Sequence, residues 1–260
     1  MRDRKIGLAL SSGGLFGFAH IGVIQALEDR GIRPNLVAGT SAGAIVGLVY
    51  ADGGIKGLET FVRLLKETGL ISKRGIFSSV TPERYFTRIG GLLRTLIHEK
   101  DLQALAIPFY PVATNIGTGR AHIFEHGDPI DTTLASATYP GAFKPRRVGG
   151  DFFVDGGLTE YLPVRVIDEK GADATIGSVI DVLEDLSAAK SRDINRAELL
   201  IRSIQVLQAQ LSSKQIEECD YVVRPKFSTS DWYKVDELDR IIKVGYEETE
   251  KLFRRNKTLL

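Results

Sequence analysis

Three short motifs contain residue types that can perform acyl chemistry together. Residues 39–43 read Gly-Thr-Ser-Ala-Gly with Ser41 at the centre, and Asp155 is followed by two glycines. A third motif, residues 12–17, reads Ser-Gly-Gly-Leu-Phe-Gly and follows a short apolar segment. A serine hydroxyl, a carboxylate and a turn rich in backbone N–H groups can act as nucleophile, base and oxyanion binder. The pattern therefore predicts a serine hydrolase.

The surroundings of Ser41 are typical of a nucleophile elbow. The apolar residues 36–38 precede the motif, and small and apolar residues from Ala42 to about Ala51 predict a helix after it. A sharp turn between strand and helix lifts the hydroxyl out of the sheet, and Gly39 and Gly43 allow other backbone to approach closely. The alternative is a tight turn with a capping serine, which the strand–turn–helix context disfavours.

The base that would activate Ser41 is less evident from the sequence. A triad on an α/β sheet carries its histidine after both the serine and the acid, and no histidine follows Asp155. A triad of Ser41, Asp101 and His122 remains open but has no motif behind it. His20 is expected to be a hydrogen-bonded histidine of the first helix. A Ser41–Asp155 dyad is the favoured hypothesis, and it requires burial to raise the carboxyl pKa above about 3.9.

The glycine-rich motif at residues 12–17 has a second interpretation. A glycine-rich turn between the first strand and the first helix is where dinucleotide-binding folds hold a pyrophosphate. Ser12 occupies the place of the first glycine in the G-x-G-x-x-G pattern, and the second strand ends at Ser41 where those folds carry an acid. We therefore expect this loop to bind an oxyanion.

The hydrophobic pattern predicts an α/β fold with a parallel sheet. Residues 6–10 are typical of a buried strand, apolar residues recur at helical spacing over 18–27, and a second strand follows at 36–38. Such a βαβ unit places its chemistry at the carboxyl ends of the strands. Further strands are predicted at 108–115, 121–125, 152–155, 175–181 and 221–223, and further helices at 131–143, 193–212 and 236–255.

The 260 residues are expected to form a single domain with two helical additions. Residues 53–100 mix glycines and charges with recurring apolar side chains, which predicts two or three helices forming a cap beside the site. C-terminal helices are expected over about 193–260. The helix at 193–212 is predicted to bury one face, made of Leu199, Leu200, Ile204, Leu207 and Leu211.

Composition and charge restrict the partners of the chain. A formal net charge of +1 gives no general attraction to nucleic acid. No apolar run approaches the roughly 20 residues that span a bilayer, and the N-terminal residues lack a full signal-peptide core. The single cysteine, Cys219, excludes an internal disulfide and a cysteine-based metal site. We therefore expect a cytoplasmic enzyme.

The three motifs, in this order, resemble those of the patatin-like phospholipase family. Residues 20–23, 135–143 and 158–163 also match bacterial members, so that the resemblance covers most of residues 5–225. It implies a three-layer α/β/α sandwich around a mainly parallel sheet. It also implies hydrolysis of lipid acyl esters by a serine–aspartate dyad, without a metal or another cofactor. In this scheme Ser41 is the nucleophile and Asp155 is the base.

The resemblance assigns the oxyanion hole to backbone amides of the glycine loop, namely those of Gly13, Gly14 and Leu15. The glycines that support the motifs are Gly17, Gly39, Gly43 and Gly156. Two residues depart from the family pattern G-G-G-x-R/K-G, because Ser12 replaces the first glycine and Phe16 replaces the basic residue. Hydrolase chemistry does not need that cation, whereas a preference for phospholipids has less support without it.

The expected substrate is a lipid or another acyl ester, cleaved by a phospholipase A, lysophospholipase or esterase reaction. The cap and the basic residues 144–147 would form an apolar groove with a basic rim, which predicts transient contact with an anionic membrane surface. An ordinary solvated face is the alternative for this cluster. The alternative function, favoured by Ser12 and Phe16, is a weakly active or inactive module of the same fold that binds lipid or protein. Acyl transfer to an alcohol other than water also remains open.

Overall fold

A mixed eight-stranded sheet forms the centre of the computed structural model, which describes residues 4–70, 82–181, 194–227 and 238–256. The strands are β1 (Ile6–Leu10), β2 (Leu36–Thr40), β3 (Phe109–Asn115), β4 (Arg120–Ile123), β5 (Arg146–Val148), β6 (Asp151–Asp155), β7 (Ala174–Ser178) and β8 (Tyr221–Val223). Their order is β5-β6-β3-β2-β1-β7-β8, and β4 pairs with β3. The strands from β3 to β8 in this order are parallel, whereas β4, β5 and β6 pair in antiparallel fashion.

Helices cover both faces of this sheet. They are α1 (Ala19–Asp29), α2 (Ala42–Glu67), α3 (Pro82–Leu96), α4 (Pro129–Ser136), α5 (Val164–Glu169), α6 (Arg196–Ile216) and α7 (Leu238–Arg255). Successive strand residues point to opposite faces. Leu8 and Leu10 of β1 belong to one core cluster with residues of α1, α2, α3, α4 and α7, whereas Ala9 belongs to a second cluster with residues of α5 and α6. The expected three-layer α/β/α sandwich is therefore confirmed.

Two predicted helix boundaries were wrong. The helix after Ser41 continues to Glu67, with a kink at Gly54, where φ is 58°. It resumes after the kink because Leu58 and Phe61 recur at helical spacing and are fully buried. The helix predicted at 131–143 instead covers Pro129–Ser136. It ends before Tyr139 because the ring of Pro140 makes helical backbone angles unfavourable for the residue that precedes it.

The buried face predicted for α6 was also wrong. Leu199, Leu200 and Leu207 are 51%, 68% and 70% exposed. The side chains that α6 buries most deeply are polar, and they follow one another at helical spacing: Gln208, Ser212 and Gln215. One member of this face, Gln215, accepts from the Leu162 N–H and donates to Glu160 Oε1 in the chain that follows β6, and a hydrophobic pattern does not reveal such partners.

The described part of the predicted cap is helical. It consists of the second half of α2 and of α3, while residues 71–81 lie outside the described ranges. Ile89, Leu92 and Leu93 of α3 are buried in the main core. Gly90 lies close to α4, because a β carbon there would be 3.1 Å from Leu134. The role of these helices as a cap stays a prediction.

Candidate active site

Strands β2 and β6 end against each other beside the middle of β3. Thr40, the last residue of β2, pairs with Val112, and Asp155, the last residue of β6, pairs with the next residue of β3, Ala113. A β carbon on Gly156 would lie 2.1 Å from the Val112 carbonyl oxygen and 2.9 Å from Thr40 Cγ2. The turns that follow the two strands are therefore in contact, and the residues predicted as nucleophile and base lie in these turns.

Ser41 occupies a strained turn between β2 and α2. Its φ of 55° is the one positive φ outside glycine in the described ranges. Its N–H donates to Ser136 Oγ at 2.9 Å, and its carbonyl accepts from the N–H groups of Ala44 and Ile45 at 3.0 and 3.1 Å. Strain of this kind persists only where the surroundings determine the conformation, and it concentrates at active sites. The predicted strand–turn–helix setting of Ser41 is confirmed.

The two glycines of the Ser41 motif allow this turn to form. A β carbon on Gly39 would lie 2.6 Å from the carbonyl oxygen of Gly43, and one on Gly43 would lie 2.4 Å from the carbonyl oxygen of Leu10. Both distances are far below any carbon–oxygen contact that a side chain tolerates. The start of α2 can therefore pack on the ends of β1 and β2 only because both residues lack side chains.

Asp155 is completely buried at the end of β6. Its backbone N–H donates to Thr138 O at 2.8 Å, its backbone carbonyl accepts from Thr114 Oγ1 at 2.9 Å, and its Oδ1 accepts from the Gly157 N–H at 2.8 Å. Burial raises the pKa of Asp155 to about 6, although the Ser41 hydroxyl and the Gly157 N–H favour the charged form and lower this pKa. A carboxylate with this pKa is a stronger base than an ordinary aspartate and is mostly ionised at neutral pH.

The contact between Ser41 and Asp155 is looser than a standard hydrogen bond. Asp155 Oδ2 is buried and has no hydrogen-bond partner of standard geometry within the described part of the chain, although the Ser41 hydroxyl is near enough to lower the pKa of Asp155. Catalytic hydrogen bonds are often long before substrate binds and shorten in the complex.

The glycine-rich motif lies against the start of α2. It forms a 3-10 turn over Gly14–Phe18, and a β carbon on Gly17 would lie 2.3 Å from Ala42 Cβ. The first N–H groups of a helical turn have no partner inside that turn, and this applies to the amides of Gly14 and Leu15. The Ser12 N–H is different, because it donates to Tyr161 O at 3.0 Å. The structure thus brings the predicted oxyanion loop next to Ser41.

His20 anchors the glycine loop. Its Nε2 lies 2.9 Å from Ser11 O and its Nδ1 lies 2.7 Å from Ser178 Oγ. Because a carbonyl oxygen can only accept, Nε2 carries the proton and Nδ1 accepts from the serine hydroxyl. Burial lowers the pKa of His20 to about 4, so the ring is neutral at physiological pH. The prediction of a hydrogen-bonded structural histidine is confirmed.

The alternative triad is not assembled in the structure. Asp101 accepts hydrogen bonds from the N–H groups of Gln103 and Gly127. His122 and Asp155 both pair with Ala113 of β3, from β4 and β6 respectively. A strand residue has one neighbour on each side, so His122 and Asp155 lie on opposite sides of β3. Asp155 is the acid that the structure places near Ser41.

Phe16, which replaces the basic residue of the family pattern, is part of the core. It is 3% exposed and stacks on Phe227, with ring centroids 4.4 Å apart and an interplanar angle of 20°. Ile180 belongs to the same cluster. The side chain at this position therefore supports the glycine loop from behind by apolar packing.

Two further residues of the site were not assigned from the sequence. Ser136 holds the Ser41 N–H and itself donates to Val112 O, and the sequence contains it only within a stretch that matches the family. Gln208 of α6 is 3% exposed, and its Nε2 would lie 2.8 Å from a β carbon on Gly157. Its signal was the helical repetition of polar residues at 208, 212 and 215, which is weak without knowledge of what the helix packs against.

The candidate active site is therefore a serine in a strained strand–turn–helix elbow beside a buried carboxyl group. Comparisons with known proteins show the family to which the chain belongs. A model of the patatin-like phospholipase family matches residues 8–168. This match spans more than half of the chain, so the chain belongs to that family.

The proteins that are similar to the chain include the following two relatives and one solved structure. An uncharacterized NTE family protein of Mycobacterium tuberculosis is 35% identical over 215 residues, which cover 79% of this chain and 57% of that protein. Lysophospholipase NTE1 of Mycosarcoma maydis is 34% identical over 191 residues, which cover 70% of this chain and 10% of NTE1. The crystal structure of VipD from Legionella pneumophila superposes with a TM-score of 0.58 at 16% identity, covering 97% of this chain and 67% of VipD. This last similarity shows a shared fold.

The chain thus spans little more than half the length of the mycobacterial relative and a tenth of the length of NTE1. No helix among the described residues is both long and apolar enough to cross a membrane. The same residues contain no group of three or more histidine, cysteine, aspartate or glutamate side chains arranged to hold a metal ion.

Proposed function

We propose that the chain is a serine acyl hydrolase that cleaves carboxylic esters of lipids, with Ser41 as nucleophile and Asp155 as base. The observation that supports this best is the strained serine beside a buried carboxyl group whose pKa is about 6. Membership of the patatin-like phospholipase family favours a lipid substrate. The similarity to a protein named lysophospholipase favours a lipid with a single acyl chain.

The reaction begins when Asp155 removes the Ser41 proton as Oγ attacks the ester carbonyl carbon. Negative charge develops on the carbonyl oxygen, and the amides of the glycine loop stabilise it: Gly13, Gly14 and Leu15. The ester bond breaks, the leaving alcohol takes the proton from Asp155, and the acyl group remains on Ser41. Water then attacks the acyl group, Asp155 accepts its proton and returns it to Ser41 Oγ, and the free acid departs.

Hydrolysis of p-nitrophenyl esters from short to long acyl chains tests this function. Wild type is expected to turn over these esters, and the Ser41→Ala and Asp155→Asn variants are expected to lose at least about a thousandfold in kcat/KM. Ser213→Ala changes an exposed serine of α6 and is expected to retain full activity. Full activity of Ser41→Ala would contradict the proposal.

A module that binds lipid without turnover is the second candidate, favoured by the use of the Ser12 amide in the fold and by the apolar Phe16. An unreactive serine distinguishes it from the hydrolase. A fluorophosphonate probe should leave such a module unmodified, whereas it should label an activated Ser41. Binding of lysophosphatidylcholine without labelling or turnover would favour this second candidate.

We further propose that the chain meets its lipid substrate at a membrane surface and that the exposed apolar side chains of α6 make this contact. Five large apolar side chains of α6 are exposed, and the three most exposed, Leu199, Leu200 and Leu207, would enter the lipid headgroup region. A variant with Leu200→Ser and Leu207→Ser should sediment less with anionic vesicles than wild type. Ile116→Ser, which changes an apolar side chain that is 53% exposed on another surface, is the matched control.

The basic rim expected at residues 144–147 is smaller than its sequence indicates. Lys144 and Arg147 are exposed, but Arg146 forms an ion pair with Asp131 at 2.9 Å. Two exposed cations add only a weak attraction to an anionic surface. The proposed membrane contact therefore depends mainly on the leucines of α6, and raising the salt concentration should reduce vesicle binding only slightly.

A further inference from the structure

The side chain of Thr40, the residue before Ser41, contacts the turn that follows β6. Thr40 is the last residue of β2 and is fully buried. Its hydroxyl donates to the carbonyl oxygen of Glu160 at 2.9 Å. Its methyl group lies against Gly156, where a β carbon would be 2.9 Å from Thr40 Cγ2. Both branches of this side chain therefore join the turn of the proposed nucleophile to the turn of the proposed base.

The chain from Asp155 to Glu160 forms one hydrogen-bonded unit. Asp155 Oδ1 accepts from the Gly157 N–H at 2.8 Å. The Gly156 carbonyl oxygen accepts from the N–H groups of Thr159 and Glu160 at 3.0 and 2.8 Å. Hydrogen bonds that close a turn at both of its ends hold its backbone in one conformation. The contact that fixes the end of this unit therefore also fixes the carboxyl group at its start.

Glu160, which accepts the Thr40 hydrogen bond, is itself held in place. Its side chain is buried, and its two carboxylate oxygens have different donors. Oε1 accepts from Gln215 Nε2 at 2.7 Å, and Oε2 accepts from the Arg165 guanidinium at 2.8 Å. A buried carboxylate with a donor on each oxygen has little freedom to move. The Thr40 hydroxyl is therefore bonded to an anchored residue, and it ties the end of β2 to that anchor.

We propose that Thr40 is a positioning residue, whose hydrogen bond to Glu160 sets the place of Ser41 relative to Asp155. The inference rests on the proposed function. In acylation, Ser41 Oγ bonds to the ester carbon, its proton moves to Asp155, and the alcohol leaves with that proton. The resting contact between these two groups is already looser than a standard hydrogen bond, so a further shift of the elbow slows this step steeply. Because Thr40 is fully buried, its hydroxyl should affect kcat and leave KM unchanged.

Steady-state kinetics with p-nitrophenyl butyrate, together with the rate at which a fluorophosphonate labels Ser41, test this role. Thr40→Val removes the hydroxyl but keeps the size and the β-branched shape of the side chain. Its kcat and its labelling rate are expected to fall by about tenfold to a hundredfold, while KM stays within about twofold of wild type. Unchanged kcat and labelling in a folded Thr40→Val protein overturn the inference.

Thr175→Val is the matched control, because it removes the hydroxyl of another buried strand threonine. The Thr175 hydroxyl donates to Asp168 Oδ1 at 2.7 Å. Thr175 pairs with Gly7 near the start of β1, at the end of the sheet away from the site. This variant should lower the melting temperature at least as much as Thr40→Val and keep kcat within about twofold. An equal loss of kcat in both variants would show an effect of stability alone and overturn the inference.

A second pair of variants keeps the test valid if Thr40→Val does not fold. Thr40→Ser and Thr40→Ala differ from each other only in the hydroxyl, and the first is expected to exceed the second at least about tenfold in kcat and labelling rate. Equal rates in these two variants overturn the inference. Failure of the proposed function gives a different result, because wild type would then release no p-nitrophenol or Ser41→Ala would retain full activity.

Discussion

The two sides of the site differ in how completely their buried polar groups are bonded. On the side of α1 and β7, His20, Ser11 and Ser178 bond to one another, and Ser11 Oγ also accepts from Ile180 N at 2.9 Å. On the side of α6, buried polar atoms lack partners within the described chain: Asp155 Oδ2, Gln208 Nε2 and Ser212 Oγ.

This difference indicates which side of the site supports its structure and which side takes part in the reaction. A buried polar group whose hydrogen bonds are all formed is held in one position. The side of α1 and β7 therefore holds the glycine loop and the elbow in place. Unused hydrogen-bonding capacity has a cost in stability, and it is retained where a substrate, a proton or a water molecule must be bound during turnover. Changes on the first side should therefore affect mainly stability, and changes on the second side should affect mainly rate.

The pH dependence of turnover should show the largest effect. Asp155 acts as a base only when ionised, and its pKa is about 6. We expect kcat/KM for an ester to be constant above pH 7 and to fall about tenfold per pH unit below 6, or about a hundredfold by pH 4. His20→Gln should show the same acidic limb, because His20 is not the base. An unchanged rate from pH 8 to pH 4 would contradict the assignment.

Replacement of the buried carboxylate should stabilise the protein at high pH. The folded-state pKa of Asp155 lies above its unfolded value of 3.8, so its favourable contribution is present below that value and is lost as pH rises through 6. Asp155→Asn should therefore raise the free energy of unfolding above pH 7, by at most about 3 kcal/mol, and the gain should disappear near pH 4. Urea denaturation at both pH values measures this difference, and a loss of stability at pH 8 would be evidence against a destabilising charge.

His20 should have the opposite pH dependence. Its folded-state pKa of about 4 lies below the unfolded value of 6.5, so its contribution is present above pH 6.5 and is lost as pH falls toward 4. Wild type should lose up to about 3 kcal/mol from this group over that interval. His20→Gln should be less stable at pH 8 but should lack this loss, and the same slope in both proteins would show that His20 does not cause it.

Ser136 should have the smallest effect of these positions. It accepts from the Ser41 N–H at 2.9 Å and donates to Val112 O. Ser136→Ala removes both bonds and should lower the free energy of unfolding by about 1–3 kcal/mol. The elbow would lose one of its supports, so a fall in kcat of about tenfold is also expected. Thr133→Ala removes a buried hydroxyl that has no hydrogen-bond partner among the described residues; it is the control and should cost less stability.

The sheet could be predicted from the sequence because its strands are short apolar segments between turns. The helix boundaries were less predictable, since Gly54 ends no helix and only kinks α2. The exposed leucines of α6 also show that the hydrophobic pattern alone does not determine which face of a helix is buried. Their spacing indicates a buried face, but Gln215 of that helix bonds to Glu160, and this long-range pairing turns the polar face inward.

The residues of the site could be predicted where the signal is local in the sequence, and could not where it depends on distant contacts. Ser41 and Asp155 could be singled out because each lies in its own glycine turn, and the sequence could also exclude a histidine after the acid. Their meeting depends on β2 and β6 ending at adjacent residues of β3, which becomes visible only in the register. The burial of Gln208 beside Gly157 could not be predicted from the sequence, because it depends on how α6 packs against the turn after β6.

Covalent labelling of Ser41 tests most directly whether Asp155 activates it. Wild type and Asp155→Asn are treated with a fluorophosphonate, and the rate of adduct formation at Ser41 is followed by peptide mass spectrometry at pH 7.5. Labelling of Ser41 in wild type, slowed at least about a hundredfold in Asp155→Asn, is the predicted result. Equal labelling rates in the two proteins, or an adduct at a serine other than Ser41, would contradict the central claim.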